Sequence, residues 1–142
     1  MVRMLMEIKV MGNTQFMGVW VYKNRRDMIR GIARARGYKN WNPRFAAVAT
    51  TNPRTPRRYL IGLCERYLDH GTIAHEFMHI VEEYARSFPW HLSRYESHSS
   101  DQPRRMHFEE CKCSMLEELV SAFWYIYPKE KRRQKRKQNK EK

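Results

Sequence analysis

Apolar and polar positions alternate at the start of the chain. Met4, Met6, Ile8 and Val10 interleave with Leu5, Glu7 and Lys9, and a second β-rich run spans residues 16–22 after Gly12-Asn13-Thr14. Period-two alternation, a turn signal and a second β-rich run together predict a β-hairpin. The period then lengthens. Met28, Ile29, Ile32 and Ala35 recur at helical spacing, Asn24 precedes them as a cap and Gly37 follows, so a helix is predicted over residues 25–36. Two apolar runs, residues 44–50 and 58–65, read as strands separated by Asn-Pro and Thr-Pro turn pairs. A second helix is predicted over residues 73–88, capped by Thr72 and stopped by Pro89. Residues 89–106 are polar and aperiodic and read as a long surface loop. Residues 107–127 then carry the stripe Cys111, Met115, Leu116, Leu119, Val120, Phe123 and Tyr127 of a third helix, closed by Pro128. The fold class this predicts is α+β: a short mixed or antiparallel sheet of about four strands packed on the second and third helices.

A chain of 142 residues supports one domain with a modest core, and the charge distribution limits that domain to residues 1–128. Residues 129–142 hold nine Lys or Arg against two Glu, net +7 of the formal +13, with no aliphatic or aromatic side chain. Such a segment has no face to bury and repels itself, which predicts a disordered basic tail able to bind nucleic acid or an anionic surface by counterion release. The basic face of the first helix, with Arg25, Arg26, Arg30, Arg34 and Arg36, reads as a solvated surface. Cys64, Cys111 and Cys113 make an odd count without paired CxxC spacing, which argues against a disulfide framework and points to a reducing, cytoplasmic setting. Cys111 and Cys113 read as buried apolar residues. No window is apolar for the roughly 18 residues a membrane span needs.

The chemistry concentrates in His75-Glu76-Phe77-Met78-His79, an H-E-x-x-H match on the second helix. Imidazoles at i and i+4 lie one turn apart on one face, so their nitrogens can converge on a metal. Glu76, beside the first ligand, suits the role of general base for a water that zinc acidifies towards a pKa of about 7. The six His and twelve Glu of the chain would produce this pattern by chance only about 0.02 times in random order, so accident is a weak explanation.

A catalytic zinc site needs a third protein ligand. The extended metzincin spacing fails, because position 82 is Glu and position 85 is Ala. Helical phase on the third helix favours Glu110, with Ser114 one turn on as a hydrogen-bonding partner. Glu109, His91, His98 and His107 are the alternatives. Glu83, one turn beyond His79, reads as a solvent-facing acid.

On these residues, together with the strands 45–50 and 59–65 and the run Phe108-Glu-Glu-Cys-Lys-Cys-Ser, the chain resembles the gluzincin-type zincin metallopeptidases, in particular the minimal ones of phage and bacterial genomes. The resemblance spans roughly residues 44–127. It implies a zincin-like fold, one catalytic zinc held by His75, His79 and a downstream Glu, Glu76 as general base, and a peptide or protein substrate. It also implies that the strand preceding the active-site helix, residues 59–65, or the stretch just after it, offers its edge to an extended peptide. Two further readings remain open at this point. One is a SprT-like protease acting on DNA-bound proteins, with His91 as third ligand; the other is a non-catalytic, zinc-stabilised nucleic-acid-binding protein.

Overall fold

The computed structural model describes residues 1–10, 13–52, 58–87 and 104–140. They form a four-stranded mixed sheet and three helices. Strands β1 (Val2–Val10) and β2 (Asn13–Tyr22) make the expected antiparallel hairpin, followed by helix α1 (Arg25–Arg36), strands β3 (Ala47–Thr51) and β4 (Tyr59–Cys64), and helices α2 (His70–Ser87) and α3 (Arg104–Lys140). The strand order is β1-β2-β4-β3, with β4 parallel to β2 and antiparallel to β3. β4 is therefore an interior strand and β3 an edge. This corrects the expectation that residues 59–65 offer their edge to a peptide, since both sides of β4 are already paired.

Side-chain alternation divides the sheet between two helical layers. Met4, Met6 and Ile8 of β1, Met17, Val19 and Val21 of β2, and Tyr59, Ile61 and Leu63 of β4 point to one face, where Ile73, Phe77, Ile80 and Tyr84 of α2 and Met115, Leu119 and Phe123 of α3 cover them. The intervening residues Trp20, Tyr22, Leu60 and Cys64 meet Met28, Ile29 and Ile32 of α1 on the other. A period of two on the strands and of 3.6 on the helices is enough to produce these layers. Close approach of α1 to the sheet requires Gly62, because a Cβ there would lie 2.7 Å from Cγ1 of Ile32.

Element ends differ from the sequence expectation for local reasons. Asn24 caps α1 as expected, its side chain accepting from the Asp27 N–H at 2.9 Å, and Gly37 closes the helix at φ 70°. β3 begins at Ala47 rather than residue 44, because the carbonyls of Pro43 and Phe45 are taken by the Arg25 guanidinium instead of a neighbouring strand. Arg36 likewise donates to Thr50 and to the Arg58 carbonyl, so the two ends of the α1 basic row clamp backbone rather than sit in solvent. α2 starts at His70, and the capping side chain is Asp69, which accepts from the Thr72 N–H at 2.7 Å; Thr72 is not the cap.

The largest difference lies in α3, which continues through Pro128 to Lys140, so residues 129–140 are helical rather than a disordered tail. Pro128 removes one helical hydrogen bond, and the turn around it is held from outside. Tyr127 donates its hydroxyl to Glu65 at 3.1 Å, and the Lys131 ammonium pairs with the same carboxylate. Beyond that anchor Lys, Arg, Gln and Glu are all good helix formers, and an existing helix propagates through them without a new nucleus. Among the described residues no helix is long and apolar enough to cross a membrane.

Candidate metal centre

α2 packs on the sheet through Ile73, Phe77, Ile80, Val81 and Tyr84, all fully buried, which turns the opposite side of the helix outward. His75 and His79 stand on that outer side, both exposed. Their Nε2 atoms are 3.2 Å apart and their rings nearly perpendicular. Two nitrogens bound to a tetrahedral zinc at about 2.0–2.1 Å lie about 3.3–3.4 Å from each other. The pair therefore has the bite of a metal chelate, with the outer side open to solvent.

Glu76 is placed differently from its neighbours. It is only 7 % exposed, turned toward the edge strand β3, and takes a hydrogen bond from the Ala49 backbone. Burial pushes its carboxyl above the ordinary carboxylate range, against the opposing pull of His75, His79 and the Ala49 amide. A raised pKa brings a carboxylate closer to what a base working near neutrality needs. Further along the same side, Glu83 contacts Arg58 at 3.8 Å and Arg86 at 3.2 Å. It ties the end of α2 to the start of β4 and is not the free solvent-facing acid expected.

The other flank of α2 meets α3. Lys112, 7 % exposed, reaches Glu82 at 3.0 Å and Glu109 at 2.9 Å. Burial pulls its pKa down, but the two carboxylates outweigh that and raise it. Glu109 is thus engaged in an ion pair. Glu110 and Ser114 are exposed and share a row with Glu118, which lines a groove against β1. Among the described residues no group of three His, Cys, Asp or Glu surrounds one point, so none of Glu109, Glu110 and Glu117 is gathered with the His pair in this structure. His91 and His98 lie outside the described residues, as does the side chain of His107. Cys111 is buried as expected, whereas Cys113 is exposed.

The register between α2 and α3 explains why Glu109 and Glu110 fall away. The helices run antiparallel, fixed by Lys112 against Glu82, Phe123 edge-on to Phe77 at 5.9 Å and Trp124 beside His70 at 4.9 Å. The His pair lies between Glu82 and His70 on α2, so the stretch of α3 alongside it lies between Lys112 and Trp124. Glu109 and Glu110 precede that stretch. Glu117 is an exposed acid within it. It stands seven residues after Glu110 at nearly the same helical phase, so phase alone gives the two equal claims.

Comparison of the chain with protein-family models, with curated proteins and with solved structures gives no match. Its chemistry is therefore read from the convergence of His75 and His79 beside a buried carboxylate.

Proposed function

We propose that the protein is a zinc-dependent metallopeptidase with a zincin-like catalytic domain. The observation that carries this reading is the 3.2 Å approach of the His75 and His79 Nε2 atoms on the outer side of a helix whose adjacent Glu76 is buried against an edge strand. His75 and His79 would hold the metal. Zinc, when bound, polarises a peptide carbonyl and acidifies water. Glu76 accepts the proton of the attacking water on its carboxylate and returns it to the leaving amine. The hydrogen bond from Ala49 holds that carboxylate against the strand edge.

The same edge supports a peptide substrate. β3 pairs with β4 on one side, and Glu76 sits beside its middle residue, Ala49. An extended chain added along β3 by main-chain hydrogen bonds would pass the carboxylate and the His pair. The helical register supports Glu117 over Glu110 as the carboxylate that completes the metal site.

Elemental analysis and hydrolysis of an unfolded protein such as casein test the reading together. One zinc per wild-type chain, retained in Glu76→Gln with loss of hydrolysis, is the expected result. Full hydrolysis by Glu76→Gln, or no zinc in the wild type after dialysis against the metal, would overturn it. Zinc content in Glu117→Ala, Glu110→Ala and Glu109→Ala identifies the third ligand, with loss expected in the first.

A further inference from the structure

The helical continuation of α3 arranges its charge in a way that a disordered tail would not. Lys129, Arg132, Arg133, Arg136, Lys137 and Lys140 recur at i, i+3, i+4, i+7, i+8 and i+11, line one continuous surface, and are all exposed. They form a single row about 16 Å long at 1.5 Å per residue. The opposite side of the same segment, with Lys131, Gln134, Lys135 and Gln138, faces a cavity of about 270 Å³ against Met1, Lys23 and Glu65. One face is turned to the domain and the other, with six cations, is turned away.

The chemistry of that outer face selects its partner. Six like charges at close spacing repel one another, and Glu130, 3.3 Å from Arg133, offsets only one of them. A dense polyanion relieves that repulsion and releases its own counterions on contact. Insertion into an anionic bilayer is disfavoured, because a helix lying in its interface needs an apolar face and residues 129–140 contain no aliphatic or aromatic side chain. Duplex nucleic acid suits both charge and shape. An α-helix with its side chains is about 10–12 Å across, and the major groove of B-DNA is about 12 Å wide with phosphates along both walls.

We propose that residues 129–140 are a preformed helical element that binds the phosphate backbone of duplex DNA without reading its sequence. The Tyr127 and Lys131 contacts to Glu65 hold the element to the domain, so α2 and bound DNA belong to one rigid frame. The proposal stands on the charge row alone and does not depend on the peptidase reading.

Fluorescence anisotropy with a labelled 20-base-pair duplex and the full chain, across a salt series, tests it. About five phosphate contacts predict a slope of log affinity against log salt of about −4 to −5. The paired variant R132Q/R136Q removes two cations from the outer row and replaces them with a good helix former. It is expected to weaken binding about tenfold or more near 100 mM salt and to flatten the slope by about 2. The control K23Q/K135Q removes the same charge from the domain-facing side and is expected to lose less than about threefold. Circular dichroism verifies that helicity is unchanged in both. Equal losses in the two variants, wild-type affinity in R132Q/R136Q, or tighter binding to phosphatidylserine vesicles than to the duplex at the same salt would each overturn the assignment.

Discussion

Two exposed rows of this molecule share the spacing of one helical turn and do opposite things. On α2, His75 and His79 converge until their nitrogens are 3.2 Å apart. On the far end of α3, Lys129, Arg133 and Lys137 repeat at the same interval but form an open, dispersed face. Charge and side-chain length account for part of the difference, since neutral imidazoles can share a ligand and ammonium and guanidinium groups repel. The rest comes from the helix behind each row. α2 is pinned by fully buried Ile73, Phe77, Ile80 and Tyr84 on its opposite side, whereas residues 129–140 have no buried side chain among the described residues. A convergent site needs a helix fixed from behind; a charged row needs only that the helix persist.

The sharpest way to separate the rows is to change chemistry without changing shape at the first. Glu76→Gln should lower peptide hydrolysis by about 10²–10⁴-fold, the usual worth of a positioned general base, while zinc content by elemental analysis stays at one per chain. DNA affinity should not move. Next in size, His75→Ala or His79→Ala should weaken zinc binding by at least about two orders of magnitude, because outer-shell partners of metal ligands alone account for 10–100-fold. Competition with a chromophoric chelator measures this, and a variant that retains wild-type affinity would break the convergence argument.

The second row is tested through its anchor. Glu65→Gln leaves the six outer cations in place but weakens the contacts that hold them to the domain, so the melting temperature should fall by about 3 °C, consistent with about 1 kcal/mol or less for a pair this exposed. Zinc content should be unchanged. The smallest effect is in pH. The Lys131 ammonium holds the Glu65 carboxyl below its usual range, against the opposing effect of burial, with Tyr127 adding a second hydrogen bond. A depressed carboxyl contributes stability above the unfolded value of about 4.3 and loses it as pH falls through the lower folded value. Amide hydrogen exchange of residues 127–135 should therefore be flat from pH 7 to about 5, after correction for intrinsic rates, and lose protection only below about 4. Loss of protection between pH 5 and 7 would show that another group holds the segment.

Much of this was legible in the residues. The alternation in β1 marked Met4, Met6 and Ile8 as the side chains that face α2 and α3, because a strand has a strict period of two, whereas β4 is apolar and buried at every position and its two faces could not be told apart in this way. Asn24 and Gly37 marked the ends of α1, and the H-E-x-x-H match placed two imidazoles on one turn. Asp69 could have been read as the cap of α2, standing three residues before the Thr72 amide it accepts from. The extension of α3 was hidden by Pro128 and by self-repulsion, which favours disorder until an anchor such as Glu65, 66 residues before Lys131, is brought alongside.

What the sequence determined by itself was local: periodicity, caps, the spacing of the histidines and the composition of the basic segment, all set by residues within a turn or two of one another. Only the tertiary structure decided which strand is an edge, since β3 and β4 have similar apolar runs and differ in whether β2 pairs beside them. It also set the register on which our proposal of Glu117 over Glu110 rests. Both stand at the same helical phase, and what separates them is the register of α3 along α2, fixed by contacts between residues far apart in the chain.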